Sequence, residues 1–461
     1  MTGGNRVSVV VGLGKTGASC LKYLARRGIP AAVTDSRRDP PGLAELGGLA
    51  GTLDMRLGGF DLSLLDDASQ ILMSPGVSLA EPIVAQAKAR GIEVLGDVEL
   101  FARAVRAPVI GITGTNGKST VTSLVASMAA AAGRRVLAGG NLGKPALDLL
   151  EEPVPDLYVL ELSSFQLDTT RSLDLIAAVV LNVTSDHLDR YASIEEYAHS
   201  KERIFEHAAT MVLNLDDPWV AAMRGRAERR QVERGQAARD ARPLRLMTFS
   251  IERADADFTL VRHGPESFLA RRGEPVMPVS RMKLSGSHNA ANALAALALG
   301  EAAGLPLAAS LSALENFPGL AHRSQWVADI AGVRYVDDSK GTNVGATLAA
   351  VSGLAGPLVL IAGGEGKGQD FAPLAAAFRN KVRHAVLIGK DASAIEAVLA
   401  GICPTERAAS MSAAVAAAAA AARPGDTVLL SPACASLDMF RDYSHRGAEF
   451  AAAVRMLGGA A

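Results

Sequence analysis

The stretch Val109-Ile110-Gly111-Ile112-Thr113-Gly114-Thr115-Asn116-Gly117-Lys118-Ser119-Thr120 decides the fold. A short apolar run, readable as a buried strand, feeds a glycine-rich turn, and Lys118-Ser119 opens a helical pattern from Val121 to Ala131. The glycines let the backbone curl so that its N–H groups point inward. The helix N-terminus adds partial positive charge, and the lysine reaches outer phosphates. The Ser119 hydroxyl is placed to hold Mg²⁺. Compared with G-x-x-x-x-G-K-[ST], the first glycine is missing, since Ile112 stands five before Gly117. Gly114, Thr115, Asn116, Gly117, Lys118, Ser119 and Thr120 are therefore the candidate nucleotide cradle.

Upstream, Val7 to Val11 reads as a strand, Gly12-Leu13-Gly14-Lys15-Thr16-Gly17 as a turn, and Ala18 to Arg27 as a helix. A second strand, Ala31 to Thr34, ends in Asp35. Strand, GxGxxG, helix, strand and acid make a Rossmann-like unit. The pattern reports a phosphate near a helix N-terminus and leaves the nucleotide open, NAD included. Gln70 to Met73 reads as a further strand. Ser74-Pro75-Gly76 leaves its C-terminal end, either as a ligand-binding loop or as a plain turn. A helix near Pro82 to Arg90 and the strand Glu93 to Leu95 complete a first domain, 1–97.

Downstream, strand and helix patterns alternate as a doubly wound sheet requires, giving a central domain, 98–319. Leu157 to Leu162 is a strand with Glu161 near its end, suited to Mg²⁺ or to a rim salt bridge. Ile176 to Leu181 runs into Asn182-Val183-Thr184-Ser185-Asp186-His187-Leu188-Asp189, where His187 is the natural metal or substrate contact or, as a lone histidine more often is, a structural residue. Lys201 sits in the helical segment Ile194 to Phe205, and pattern alone makes it a solvated helix lysine. Arg224 to Pro243 is strongly charged without interleaved aromatics, so it reads as a solvated helix or surface insertion. Leu246 to Phe249 and Phe258 to Val261 suggest a small β element. Ser285-Gly286-Ser287-His288-Asn289-Ala290-Ala291-Asn292 then caps a helix from Ala293 to Ala302. Asn289 and Asn292, one turn apart, could cap the helix or read an adenine edge.

A third domain, 320–461, opens near Ala321-His322-Arg323. Tyr335-Val336 leads into Asp337-Asp338-Ser339-Lys340-Gly341-Thr342-Asn343, and Pro357 to Ala362 into Gly363-Gly364-Glu365-Gly366-Lys367-Gly368. Val386 to Ile388 follows, and Thr427 to Leu430 leads into Ser431 to Asp438. Polar loops again sit where parallel strands end. A cleft between three such edges could hold several substrates at once.

The totals narrow the classes. A chain of 461 residues holds about three domains. A formal charge of -1 argues against nucleic acid or an anionic membrane as a main partner. Cys20, Cys403 and Cys434 form neither a metal-ligand spacing nor a disulfide framework, as expected of a cytoplasmic protein. No apolar signal segment opens the chain. The alanine-rich run Ala413 to Ala422 is too short to span a membrane.

Taken together the motifs resemble those of the Mur ligases, over essentially the whole chain. The phosphate loop is followed in that family's order by Gly140-Asn141-Leu142-Gly143, Glu161-Leu162-Ser163-Ser164-Phe165-Gln166 and Asp186-His187-Leu188-Asp189-Arg190-Tyr191. His288 to Asn292, His322-Arg323, Asp338 to Asn343 and Ser431 to Asp438 come next. The resemblance implies an α/β protein of three domains. These are a Rossmann-like N-terminal domain binding a UDP-sugar, a central P-loop ATPase-like doubly wound domain, and a Rossmann-like C-terminal domain binding an amino acid. It implies a monomeric, cytoplasmic ligase of peptidoglycan precursor synthesis, using ATP and Mg²⁺ at two sites. Its substrates would be UDP-N-acetylmuramoyl-L-alanine and D-glutamate, joined through an acyl phosphate.

Carried over by position, the resemblance assigns Lys118 to the outer phosphates and Ser119 and Glu161 to the first Mg²⁺. His187 would hold the second beside the reacting carboxylate. Lys201 matches a lysine that is carbamylated, and so converted from a cation into an anionic ligand. Asn289 and Asn292 would face adenine, while Arg323, Asp338 and Lys340 would reach phosphate, ribose and the reacting centre. Thr342, Lys367, Ser436, Leu437 and Tyr443 match the glutamate pocket. Thr16, Asp35, Ser36, Arg37, Ser74, Gly76 and Asn141 match the UDP end, which resolves the first GxGxxG in favour of a UDP-sugar. Three positions depart from the family. Lys15 stands where an aliphatic residue is common beside uracil, Glu365 replaces an aspartate, and Tyr443 replaces a phenylalanine.

Other readings compete. A related ligase adding another amino acid, or glutamate to folate, is the nearest, though no Asp-Asn-Pro-Arg segment is present. A nicotinamide-dependent dehydrogenase would leave the second nucleotide site without purpose. A nonenzymatic nucleotide-binding switch is the third.

Overall fold

The apolar runs read from sequence become strands of three separate sheets. The computed structural model describes residues 7–237, 244–284, 286–354 and 356–458. In the first sheet, β1 (Val7–Val11), β2 (Ala31–Asp35), β3 (Asp54–Leu57), β4 (Ala68–Met73) and β5 (Glu93–Gly96) are all parallel, in the order β3-β2-β1-β4-β5. The order reverses between β1 and β4, and a crevice opens where their loops part. The Ser74 hydroxyl closes its floor by donating to the Gly12 carbonyl at 2.6 Å. A Cβ on Gly17 would collide with that same carbonyl, so the helix Lys15–Arg26 can pack here only with glycine in that place.

The second sheet holds β6 (Val109–Thr113), β7 (Val136–Gly140), β8 (Leu157–Glu161), β9 (Ala177–Val180), β10 (Thr210–Asn214), β11 (Arg245–Ser250), β12 (Phe258–His263), β13 (Glu266–Arg271) and β14 (Glu274–Pro278). Their order is β14-β13-β12-β11-β10-β9-β6-β8-β7. β6 to β12 pair in parallel, and β12, β13 and β14 form an antiparallel extension. β6 lies between β8 and β9, so the phosphate loop sits at the point where the winding changes sides. The helix Lys118–Ala131 buries Val121, Leu124, Val125 and Met128 in one apolar cluster with Leu294 and Leu297 of the helix Ser287–Ala302. Full burial of such side chains contributes about 1.5–3 kcal/mol each, which anchors the loop to a rigid layer.

The third sheet is β15 (Gln325–Ile330), β16 (Val333–Asp337), β17 (Leu358–Gly363), β18 (Val382–Ile388), β19 (Thr405–Arg407) and β20 (Thr427–Leu430), ordered β15-β16-β20-β17-β18-β19. Only β15 is antiparallel to its neighbour among these.

Several elements differ from expectation. The helix expected from Ala293 starts at Ser287, because Gly286 (φ +99) ends the preceding loop, so Asn289 and Asn292 lie inside the helix. The hairpin β13–β14 and the edge strand β15 were not anticipated. Their half-exposed, charged residues show little apolar alternation, and the β13–β14 turn uses Arg272 and Gly273, both at positive φ. The charged stretch from Arg224 belongs to the helix Pro218–Ala237; its remainder, 238–243, and Ser285 lie outside the described residues.

Asp97 opens the helix Asp97–Ala104 and is almost fully buried, with Gln166 Nε2 donating to its carboxylate at 3.3 Å. Burial pushes its carboxyl up to about 6, against the pull of Gln166 and backbone amides. An unfolded aspartate titrates near 3.9. Between those values the folded chain holds a proton that the unfolded chain has lost, so stability falls as pH rises through the window. Asp97→Asn removes this titration. The chemical-denaturation midpoint should then lose the part of its decline between about pH 4 and 6 that corresponds to on the order of 2–3 kcal/mol.

Candidate active site

The phosphate loop is shaped by two glycines and braced by a neighbour. Gly114 (φ +149) and Gly117 (φ +84) hold conformations that suit glycine, and a Cβ on Gly117 would collide with the Asn292 amide oxygen. The Asn116 N–H donates to Asn182 Oδ1 at 2.8 Å, and Asn182 Nδ2 returns a bond to the Asn116 carbonyl at 3.1 Å. The Thr184 N–H donates to Thr115 Oγ1 at 3.0 Å. Asn182 and Thr184, at the end of β9, thus hold the loop, a role that sequence reasoning missed. An amide and a hydroxyl directly after a buried strand were the available signal.

Two lysines converge on one oxygen. Lys118 Nζ donates to the carbonyls of Gly114 at 2.8 Å and Thr115 at 2.9 Å. Lys201 Nζ donates to Gly114 O at 3.0 Å and lies 4.3 Å from the Tyr197 ring centre. Lys201 is 1% exposed, not the solvated helix lysine its pattern suggests. Burial first, and then the Lys118 charge, hold its ammonium well below the ordinary lysine range. Lys118 is lowered too, by burial, although Glu161 and Asp186 oppose this.

Glu161 ends β8 with its carboxylate buried. Asn141 Nδ2 donates to Oε1 at 2.7 Å, whereas Oε2 has no hydrogen-bond partner. An orphaned anionic oxygen beside a phosphate loop fits a divalent cation. Among the described residues no group of three or more His, Cys, Asp and Glu converges. Water and substrate oxygens would complete any Mg²⁺ shell here, as is usual for that ion. His187 adopts φ +56, a strained backbone of the kind that collects at functional sites, and packs edge-on against Phe165 at 4.9 Å. Burial lowers its pKa against the pull of Asp186; Lys367, Lys201 and Lys118 add repulsion. Burial thus favours the neutral imidazole, the form that can bind a metal.

The third domain reaches over this edge. Arg323 Nη2 donates to Ser119 Oγ at 2.8 Å. Asn343 and Asn116 exchange amide bonds at 3.2 and 3.3 Å, and Asn343 Nδ2 also reaches Asp186 Oδ2 at 3.3 Å. Burial pushes Asp338 up to about 7, although Ser431 and the Ser324 N–H donate to it. Burial likewise brings Lys340 down to about 8, with Arg323 and Lys118 repelling its charge. Lys340 Nζ sits 3.8 Å from the Tyr443 ring centre. Asn116, Gly117, Thr120, Asn289, Asn292, Arg323, Asp338 and Lys340 all line one cleft.

A second cleft is lined by Thr16, Asp35, Ser36, Arg37, Ser74, Gly76 and Asn141. Asp35 accepts the Leu13 N–H at 2.6 Å and the Arg37 guanidinium at 2.9 and 2.7 Å. Asn141 lines this cleft while holding Glu161, and so ties the cleft to the end of β8. Thr342, Lys367, Ser436 and Leu437 sit on loops following β16, β17 and β20, and Tyr443 opens the helix Tyr443–Gly458; neither cleft includes them.

Models of the MurD-like N-terminal domain, the Mur ligase middle domain and the Mur ligase glutamate ligase domain match residues 6–96, 112–300 and 322–434. A protein of Nitrosococcus oceani named UDP-N-acetylmuramoylalanine–D-glutamate ligase is 54% identical over 97% of this chain and 96% of its own length. The chain belongs to the Mur ligase family. A protein of the same name from Pseudomonas syringae pv. tomato is 49% identical over 98% of each chain. The UDP-N-acetylmuramate–alanine ligase of Thermotoga maritima superposes with a TM-score of 0.61 at 17% identity, covering 99% of this chain and 100% of that one, and shares its fold.

Within this Mur ligase the departures have visible partners. Glu365 accepts from Lys390 Nζ at 3.0 Å, and Tyr443 takes the Lys340 contact. Asn343 also caps the helix Val344–Gly353 through the Ala346 N–H at 2.8 Å. Asn343→Asp keeps that cap but loses both amide donors and sets a charge against Asp186. The expected outcome is a helix of normal stability, a larger radius of gyration by small-angle scattering, and a KM for ATP raised about tenfold, the equivalent of one or two lost hydrogen bonds.

Proposed function

We propose that this chain joins D-glutamate to UDP-N-acetylmuramoyl-L-alanine while converting ATP to ADP and phosphate, as a step of cytoplasmic peptidoglycan precursor synthesis. The observation that carries this reading is the identity of 54% and 49%, over nearly the full length, to two proteins bearing that activity as their name. On this reading residues 1–97 bind the UDP-sugar, 98–319 bind ATP, and 320–461 bind the amino acid, and the enzyme works as a monomer. No helix among the described residues is long and apolar enough to cross a membrane.

The chemistry sets the demands. The alanyl carboxylate is a poor electrophile, so its oxygen attacks the γ-phosphorus, the bond to the β-phosphate oxygen breaks, and ADP leaves. The glutamate nitrogen then attacks the acyl carbon and the phosphate oxygen departs. Both partners of the first step are anions, so catalysis rests on positioning and on neutralising oxygens. Lys118 turns from the Gly114 and Thr115 carbonyls to the outer phosphates, and Arg323 and Lys340 approach them from the third domain. Asn289 and Asn292 present paired donors and acceptors to adenine, and Asp338 faces ribose.

Ser119 and Glu161 would hold one Mg²⁺, with His187 and a carbamylated Lys201 holding a second. When bound, Mg²⁺ neutralises the reacting oxygens. The unpartnered Glu161 oxygen supports the first site. For the second, burial favours the neutral Lys201 amine, the form that adds CO₂. Thr342, Lys367, Ser436, Leu437 and Tyr443 receive glutamate.

Phosphate release should require ATP, UDP-N-acetylmuramoyl-L-alanine and D-glutamate together; equal release with L-glutamate, or none with the complete set, sinks the assignment. Lys201→Ala should lower turnover about 100-fold or more, the scale expected when a charge-stabilising ligand is lost, with partial rescue by acetate or propionate. Unchanged turnover in that variant would remove the carbamate.

A further inference from the structure

Three loops follow β16, β17 and β20, and they carry Thr342, Lys367 and Ser436 in turn. The second and third are joined through backbone, since Glu365 and Ala435 each donate an N–H to the other's carbonyl, at 3.0 and 2.9 Å. The first joins that pair at two places. On one side Ser431 Oγ donates to Asp338 Oδ2 at 2.8 Å. On the other side the tie is a single buried side chain, Gln369. Its Oε1 accepts the Val344 N–H at 2.9 Å, while its Nε2 donates to the Gly366 carbonyl at 2.8 Å and, at longer range, to that of Ala433 at 3.5 Å. Val344 ends the loop after β16, Gly366 lies in the loop after β17, and Ala433 in the loop after β20. One amide thus meets all three.

An amide suits this place because it carries an acceptor at one end and donors at the other. An ionised carboxylate has no donor for the two carbonyls, and an apolar side chain has neither. The backbone that Gln369 braces is strained. Lys367 holds φ +53, and a non-glycine residue stays in such a conformation only where its surroundings over-determine it. The constraint comes through Gly366 beside it, whose N–H donates to Asp391 Oδ2 at 2.6 Å and whose carbonyl accepts from Gln369. A Cβ on Gly366 would lie 2.6 Å from the Phe371 ring, so the loop is packed closely on that side as well. Lys367 is thereby held near the reaction edge, where its charge adds repulsion at both His187 and Lys340.

We propose that Gln369 is a positioning residue for the amino-acid substrate: its amide fixes the spacing of the three loops and the backbone from which Lys367 meets the incoming carboxylate. This rests on the reading of those loops as the glutamate pocket. A substrate that bonds to several loops at once binds well only when they stand at the right separation. The loss of Gln369 therefore falls on the amino acid, and the two nucleotide clefts, whose linings do not include it, keep their shape.

Steady-state phosphate release by the full-length chain tests this, with the KM of each substrate measured at saturation of the other two in the wild type, Gln369→Met and Gln369→Glu. Methionine matches glutamine in length without its amide, so Gln369→Met should raise the KM for D-glutamate about tenfold, the scale of one or two lost hydrogen bonds. Gln369→Glu keeps the acceptor for Val344 but loses both donor bonds and brings a charge toward a pocket that receives two carboxylates, so its KM for D-glutamate should rise at least as far. In both variants the KM for ATP and for UDP-N-acetylmuramoyl-L-alanine should stay within about twofold of the wild type, and kcat should fall by less than the D-glutamate KM rises, the signature of lost binding rather than lost chemistry. A wild-type KM for D-glutamate in Gln369→Met overturns the proposal, as does an equal rise in all three KM values, which a general loosening of the fold would give. Failure of both variants to fold, read as a lost urea transition, would make Gln369 a purely structural residue and overturns it too. A wild type whose phosphate release ignores D-glutamate overturns the reading of the pocket itself.

Discussion

Two ammonium groups aimed at one carbonyl oxygen set the terms for the rest of the site. Lys118 and Lys201 approach Gly114 O at 2.8 and 3.0 Å, from different helices. Like charges this close in a partly dry setting repel, and burial alone already depresses both groups. Three changes relieve the conflict: an anion arrives, a lysine loses its proton, or a lysine becomes an anion. The proposed chemistry uses the first for Lys118, with phosphate. It uses the second and third for Lys201, first as neutral amine and then as carbamate. The single carbonyl therefore separates two lysines into different tasks.

That separation depends on backbone that only glycine supplies easily. Gly114 turns its carbonyl toward both lysines, and Gly117 leaves room for the Asn292 amide. Asn182 and Thr184 then fix the loop from the next strand, so the cradle is rigid before any nucleotide enters. Glu161 is rigid as well, since Asn141 occupies one of its oxygens and leaves the other facing the site. Preorganised donors and acceptors of this kind act without reorganising during the reaction.

Much of this was legible in sequence because glycine, lysine and strand ends report geometry directly. The strand–loop–helix around Gly114 to Thr120 read correctly from local order alone; at Gly12 to Gly17 the turn is shorter than read, since the helix expected from Ala18 already begins at Lys15. What failed to show was anything decided across domains or by burial. Lys201 looks solvated because its helix is polar by pattern, yet the helix packs Tyr197, Ala198 and Lys201 inward. Asn343 looks like a loop residue, and only the fold brings it to Asn116, 227 positions earlier. The hairpin β13–β14 escaped because an edge extension with exposed faces need not alternate apolar and polar residues.

The same logic explains how the third domain meets the second at the phosphate loop. Arg323 to Ser119 and Asn343 to Asn116 and Asp186 are all hydrogen bonds to the phosphate loop or its flank, made by groups that nucleotide can also engage. Each amide bond is worth about 0.5–1.5 kcal/mol net, so the few present cannot lock the domains against solvent. An anion at the loop changes the balance. It recruits Arg323 and Lys340, whose ammonium burial holds near 8, and turns mutual repulsion between cations into shared attraction. On the proposed chemistry, contact between the two domains and charge compensation are then coupled, as a reaction between two anions requires.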